Sequence, residues 1–411
     1  MAICLLGLKY KHKIYDEVMK IKAIFNGKLI MKDKILHNNV IIFDKQIIKI
    51  ISEEDFHKYK KEYIEEYKEE IQVIDARGKY VSPGFIDIHI HGSGGYDTMD
   101  ATLEALRVIS TTIAANGVTA YLPTTMTMDK ASIYSALDAI REAMSVDNEG
   151  AKILGVHMEG PFINEKYKGA QRADNIINPN FDFIMDYLDI IKIITLAPEK
   201  DEDHSFMKKV KSTSKITLSI GHSDASYEET LKAIEHGITH ATHTFNAMTP
   251  LNHRKPGIVG GIFTSDITCE LIADTIHTHP AIFNILINLK KKNKIVLITD
   301  SMRAGCMKGG IYELGGQKVI VKDGSAKLQD GTLAGSVLTL NKAVKNMLNH
   351  TDLEIYEAVA MASNVPAKVI HMDNKKGRLE VGLDADIVIF DEDVDVFLTI
   401  VEGEIVFQTQ K

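Results

Sequence analysis

From Tyr80 onward, short apolar runs alternate with segments of helical periodicity, and this alternation constrains the fold more than any other feature. The spacing predicts strands at 86–90, 118–122, 153–158, 193–196, 216–220, 239–242, 270–273 and 295–299. It predicts helices at 101–116, 129–145, 182–191, 202–211, 225–236 and 280–291. Parallel strands joined by crossover helices over roughly 250–300 residues close into a (β/α)8 barrel of the TIM type. Active sites of such barrels lie at the C-terminal strand ends. Here those ends carry His89 and His91, Thr124, Glu159, Glu199, His222, His243, His277 and Asp300.

Both flanks of this region read differently. Between Ile21 and Ile51, short β-type runs are broken by Asn26-Gly27, His37-Asn38-Asn39 and Asp44-Lys45, which predicts hairpins of one small sheet. Residues 385–390 and 397–406 are again β-rich, with Glu402-Gly403 at a turn. The two ends are expected to meet in one discontinuous β-sandwich domain, built from 19–79 and 376–411 around a barrel of 80–375. Residues 53–70 are almost all charged or tyrosine, with Phe56, Tyr59, Tyr63 and Tyr67 at helical spacing; they predict an exposed amphipathic insertion. Residues 1–18 read as an N-terminal extension, with Met19 as the natural start.

Composition removes several function classes. The net charge of -8 provides no basic face for nucleic acid. No apolar run reaches the roughly 18 residues of a membrane span. Cys4, Cys269 and Cys306 have no paired spacing, as expected of a cytoplasmic protein in a reducing compartment.

The motifs carry the chemistry. In 83–92 (PGFIDIHIHG) the strand period puts His89 and His91 on one face, within reach of one ion. Glu159 (HMEGPF), His222 (GHSDA) and His243 (ATHTFNAM) follow strands three, five and six. One carboxylate and two imidazoles with an open position form a catalytic zinc set, which lowers the pKa of a bound water to about 7. Asp300 ends strand eight, as a proton carrier or a helix N-cap. His277 is a ligand, a proton carrier or a phosphate contact. Asn246 and Ala247 offer an amide and a backbone N–H to an anion, and the fork of Arg254 suits a phosphate.

With HMEGPF (157–162), TLAPE (195–199), RKPG (254–257), TDSMRAG (299–305) and GTLAGS (331–336) added, the chain from about Met19 to its end resembles the N-acetylglucosamine-6-phosphate deacetylases of the amidohydrolase superfamily. The resemblance implies a phosphorylated amino sugar as substrate and removal of its acetyl group. It implies one or two divalent ions per subunit, zinc first, with iron, cobalt or manganese as alternatives. Glu159, His222 and His243 would hold the principal ion, His89 and His91 would complete a second site, and Asp300 would be the acid/base. Arg254, reaching from the neighbouring subunit of a homodimer (or tetramer), would hold the 6-phosphate with Asn246 and His277. Leu333, Ala334 and Gly335 would line the sugar pocket beside Ala170 and Gln171. Many members carry His at the position of Gln171, and Gln can donate a hydrogen bond but carry no charge. Another cyclic-amide hydrolase of the superfamily is a rival, but many of those carry a lysine at the end of strand four, where this chain has Ala197-Pro198-Glu199. A silent scaffold would have shed ligands that this chain keeps.

Overall fold

The structure is a computed structural model that describes residues 21–146 and 149–409. The expectation for residues 1–18 lies outside the described residues. All eight barrel strands are present: β1 (Phe85–Ile90), β2 (Val118–Thr125), β3 (Val156–Glu159), β4 (Ile191–Leu196), β5 (Thr217–Ile220), β6 (Ile238–Ala241), β7 (Thr268–Ile272) and β8 (Ile295–Ile298). Each pairs in parallel with the next, so the sheet runs from β1 to β8 in sequence order. Closure is made at the C-terminal mouth by hydrogen bonds just past the strands. The Asp300 N–H donates to His89 O and the His91 N–H to Ser301 O, each at 2.9 Å. Below them the Thr299 hydroxyl donates to the buried Asp87 carboxylate at 2.6 Å.

The helices form where local signals agree with the apolar stripe. Asp129 caps Lys130–Ser145 by accepting from the Ser132 N–H, and Ser226 with Glu229 forms a capping box for Tyr227–His236. The helix expected at 182–191 is not formed. Phe181–Phe183 and Met185–Tyr187 are single 3-10 turns instead. They bury Phe183, Ile184 and Tyr187, the positions an α-helix would have buried, so the apolar spacing did not separate the two. Gly257–Thr264, between β6 and β7, is a helix without a polar face, so periodicity does not reveal it. It packs close to its neighbour: a Cβ on Gly261 would lie 2.6 Å from Thr230 Cγ2.

After β8 the chain makes a three-stranded antiparallel sheet, Gly310–Leu314, Gln317–Lys322 and Ser325–Lys327, that is separate from the barrel although it lies within the expected barrel range of 80–375. Leu314, Val319, Val321 and Ala326 pack it on Met126, Ala170 and Met302 over the barrel mouth.

The ends of the described chain form two sheets rather than one. Four strands run in the order 47–52, 39–43, 22–25, 72–75 and six in the order 404–408, 396–401, 387–390, 80–83, 28–30, 35–36. Asn26-Gly27 and His37-Asn38 therefore carry the chain from one sheet to the other, and only Asp44-Lys45 closes a hairpin of the four-stranded sheet. The sheets share a core of Ile24, Ile41, Phe43 and Ile47 from one and Leu29, Val81, Ile387 and Ile389 from the other. Strand period two divides the all-apolar run 387–390 between two cores: Ile387 and Ile389 face the sandwich, Val388 and Phe390 the barrel. The same division in 39–43 sends Val40 and Ile42 outward, where Phe56 and Tyr63 of helix Glu53–Tyr67 cover them. This helix is thus a packed layer, not the solvated insertion its charge suggests.

Lys376 holds together the strand ends of the six-stranded sheet. Its ammonium is buried and lies 2.8 Å from Asp384, 2.8 Å from Asp386 and 3.2 Å from Glu402. Breaking a buried ion pair typically costs about 3–5 kcal/mol; here Asp386 is buried while Asp384 and Glu402 are partly open to water, which lowers the cost. Lys376→Met should therefore lower the denaturant midpoint, and adding Asp386→Asn should recover part of the loss. An unchanged midpoint in the single variant would show the cluster to be energetically idle.

Candidate functional site

Three site residues sit two positions beyond a strand end in a backbone conformation that L side chains avoid. His222 after β5 has φ 49°, His243 after β6 has φ 26° and Asp300 after β8 has φ 48°. Such residues cost on the order of 1–3 kcal/mol each and persist where surrounding bonds dictate them. Those bonds are present: the Asn164 N–H donates to His222 O at 2.8 Å, the His243 N–H to Glu270 Oε2 at 2.9 Å, and the Asp300 N–H to His89 O. Glu159 is the last residue of β3, and Gly160 follows at φ 73°, where a Cβ would stand 2.0 Å from Thr127 Oγ1.

The imidazoles converge on Glu159. His222 Nε2 lies 3.1 Å and His243 Nε2 3.0 Å from Glu159 Oε1, and the two nitrogens are 3.0 Å apart. His91 Nε2 lies 3.3 Å from both Glu159 Oε2 and Asp300 Oδ1, and His89 Nε2 lies 3.5 Å from Glu159 Oε1 and Asp300 Oδ1. The opposite ring nitrogens of His222, His91 and His89 are committed outward, and that of His243 is buried without a hydrogen-bond partner. His222 Nδ1 is 2.8 Å from Tyr167 O and His91 Nδ1 is 3.2 Å from Thr124 O; a carbonyl only accepts, so both Nδ1 atoms carry hydrogen. The Nε2 lone pairs therefore face a carboxylate, and His89 Nε2 is buried without a hydrogen-bond partner. Lone pairs turned on lone pairs repel unless a cation lies between them, and this is the donor set for a divalent metal. Two such sets share Glu159: Glu159 with His222 and His243, and Glu159 with His89 and His91, the ligand atoms within 4.8 Å of one another.

The protein groups compete for positive charge. Burial alone would raise the Glu159 carboxyl, but His222 and His89 outweigh it and hold it well below the usual carboxylate range. Burial opposes charge on His91, yet Asp300 and Glu159 raise its pKa well above the ordinary value. Burial would also raise Asp300, and His89 and His91 lower it. A metal taken up here would displace protons.

A cavity of about 520 Å³ opens on this centre. Of the expected residues, His91, Glu159, His222, His243, Asp300, Ala170, Gln171, Asn246, Ala247, His277, Leu333 and Gly335 line it. His89 is fully buried behind them. Two further expected residues do not line this cavity, of which Arg254 is expected at the site of a neighbouring subunit and not at its own. Ala334 is buried beneath the wall among Met302, Val319 and Ala326, because its backbone pairs with Ala326. Arg254 is exposed and does not reach the cavity of its own chain. It lines an adjoining cavity of about 860 Å³, and Lys166 and Tyr167 line both. Gln171 accepts from the Thr127 N–H at 2.7 Å through Oε1 and donates to Glu159 Oε2 at 2.8 Å. His277 Nδ1 is 2.6 Å from Asp274 Oδ2.

Glu199, a metal-type residue by its place after β4, serves the loops instead. It accepts from Ser223 Oγ and the Asp224 N–H at 2.7 Å each and from Asn164 Nδ2 at 2.9 Å, which pins both segments around His222. Glu270 was missed as a site residue. It lies inside β7 with no exposed surface, and burial would raise its carboxyl, but His89 and His240 hold it well below the usual range. The available signal was a charged residue inside the apolar run Cys269-Glu270-Leu271-Ile272. His157, His89 and Glu270 are also close enough to suggest a ligand group. His157 is not available for it, since Nδ1 is 2.9 Å from Ile88 O and Nε2 is 2.7 Å from Thr195 Oγ1.

Residues 80–406 match the amidohydrolase family. The chain is 40% identical over 351 residues to N-acetylglucosamine-6-phosphate deacetylase of Bacillus subtilis (strain 168), covering 84% of this chain and 88% of that protein. It is 33% identical over 340 residues to N-acetylgalactosamine-6-phosphate deacetylase of Escherichia coli O157:H7, covering 82% of this chain and 90% of that protein. It also superposes on the crystal structure of N-acetylglucosamine-6-phosphate deacetylase from Pasteurella multocida with a TM-score of 0.85 at 30% identity, covering 94% of this chain and 99% of that one.

Imidazole and carboxylate donors prefer zinc and its first-row neighbours to magnesium. Zinc at about 100 times its dissociation constant should stabilise chelator-treated protein by about 2.7 kcal/mol. Thermal unfolding should show a rise in midpoint with zinc and little with magnesium. Equal responses to both, or none, would contradict a nitrogen-rich metal centre.

Proposed function

The chain belongs to the amidohydrolase family, and from that premise we infer that it hydrolyses the acetamide of N-acetyl-D-glucosamine 6-phosphate, releasing D-glucosamine 6-phosphate and acetate. The observation that carries the reading is Glu159 set between two pairs of imidazoles, beside Asp300, at the C-terminal mouth of the barrel. Glu159, His222 and His243 would hold the principal ion, and His89 and His91 with Glu159 a second. One or two divalent ions, zinc or another first-row metal, would supply the Lewis acid that polarises the acetyl carbonyl and activates water.

The side chains do the rest. Asp300, held near His91, takes the proton from the attacking water and delivers it to the departing sugar nitrogen. Gln171 holds the Glu159 carboxylate in orientation through its amide and leaves it charged. The three-stranded sheet over the mouth, with Leu314 and Leu333 in the wall, limits water around the sugar. His277, Asn246 and the Ala247 N–H suit the 6-phosphate. Remote binding of that group orients the acetamide for attack.

A dianion needs a charge-assisted donor, and a guanidinium gives two parallel bonds to phosphate. We assign that donor to Arg254 of the partner subunit in a homodimer. Support comes from the exposed place of Arg254 beside its own cavity and from the walls shared through Lys166 and Tyr167. No helix among the described residues is long and apolar enough to cross a membrane, and Cys269 and Cys306 are free thiols; we place the reaction in the cytoplasm.

Acetate release should be fastest from N-acetylglucosamine 6-phosphate, against the galactosamine analogue and the unphosphorylated sugar. No release from any of them would overturn the assignment. Asp300→Asn should retain metal while kcat falls about 10²–10⁴-fold; a variant keeping more than about a tenth of the activity would remove Asp300 from the proton transfer. Arg254→Ala should raise KM for the phosphorylated substrate and barely change turnover of the free sugar. Mixing Arg254→Ala with Asp300→Asn subunits should restore activity, since one site in each mixed dimer then has both groups intact. Heterodimers that form and stay inactive would place Arg254 elsewhere.

A further inference from the structure

Glu270 lies in the middle of β7, outside the cavity wall, and the reaction as derived does not use it. Its carboxylate is fully buried, and each oxygen is engaged. Oε2 is 2.9 Å from His89 Nδ1 and accepts the backbone N–H of His243 at 2.9 Å. Oε1 is 3.2 Å from His240 Nε2. The His240 ring is held in turn by Thr268 Oγ1, 2.7 Å from Nδ1. The Glu270 carbonyl accepts the Thr244 N–H, so side chain and backbone together fix the turn that carries His243 at φ 26°.

One oxygen thus touches a residue of each metal set: the ring of His89 and the main chain of His243. We propose that Glu270 is the positioning residue that makes the His89/His91 position a metal site, by fixing the hydrogen of His89 on Nδ1 and leaving Nε2 as a ligand. The structure gives three reasons. His89 has no exposed surface, so its ring has no water to choose its tautomer. Among the described residues, Glu270 is the one side-chain acceptor at hydrogen-bond distance from Nδ1. The orphaned atom of this ring is Nε2, turned toward Glu159 and Asp300. An anionic partner behind an imidazole also makes it a stronger donor to metal, and losing such a partner typically weakens binding about 10–100-fold. The inference rests on the reading of the centre as two metal positions.

The test is metal titration of chelator-treated full-length protein with zinc, by calorimetry, in wild type and in Glu270→Gln. Gln is close in shape. Its carbonyl can still accept from His89 and His243 and its amide can face His240, so the change removes charge with little change of volume. The expected result is two classes of site in the wild type and, in Glu270→Gln, a weaker class loosened about 10–100-fold with the tighter class retained. Glu270→Asp, which keeps the charge but withdraws it from His89, should show the same selective loss. A merely structural role would weaken both classes together or lower the melting midpoint without touching metal affinity, and either result overturns the proposal. If wild type takes up two ions and both variants match it, the proposal fails while the two-position reading stands. If wild type takes up one ion, both fail. Should neither variant fold, nitrogen NMR of the zinc-loaded wild type with labelled histidine decides: His89 must carry its hydrogen on Nδ1, and hydrogen on Nε2 overturns the proposal.

Discussion

Everything at the barrel mouth depends on a buried carboxylate that faces the lone pairs of several imidazoles. Placed in a low-dielectric cleft, Glu159 and its neighbours cannot all keep their preferred protonation unless positive charge sits among them. The fold resolves this by committing the outer nitrogens of His222, His91 and His89 to Tyr167 O, Thr124 O and Glu270, which leaves only the inner nitrogens for an ion. Backbone strain at His222, His243 and Asp300 belongs to the same bargain. Three left-handed residues in one cluster are tolerated because hydrogen bonds from Asn164, to Glu270 and across the β1–β8 seam over-determine each one.

Two carboxylates outside the cavity do this holding from opposite sides. Glu199 gathers the segments around His222, and Glu270 anchors the turn around His243. Both follow or occupy barrel strands, so the loops that carry ligands are tied to the most rigid part of the molecule. A site built this way is positioned by the barrel and not by the length of its loops.

The barrel was legible because parallel strands covered on both faces are largely apolar, and β8 is apolar throughout. The residues gathered at the mouth were legible because each lies at, or within two positions of, the end of such a run. What the sequence could not separate were arrangements sharing one pattern. Phe183, Ile184 and Tyr187 suit a helix and two 3-10 turns equally. The apolar helix Gly257–Thr264 has no periodicity to read, and the charge of Glu53–Tyr67 hid two buried aromatics that complete a third layer. Alternation also does not tell which sheet a strand joins, so Asn26-Gly27 looked like a hairpin turn. Glu270 was visible only as a charge where none should be. Ala334 shows the limit of transferring a motif: the sequence names the residue, and the backbone decides whether it reaches the cavity.

The shared strand 387–390 has a consequence for how the chain is made. Its partner on one side is 80–83, so the centre of the six-stranded sheet joins segments from opposite ends of the barrel. Translation at roughly 5–20 residues per second separates their emergence from the ribosome by on the order of tens of seconds. Through that interval the edge of 80–83 presents unpaired backbone groups, and Val81 lacks half of its core. Such an edge is a template for mispairing, so the nascent chain carries an open strand edge shortly before His89 and His91 until 387–390 covers it.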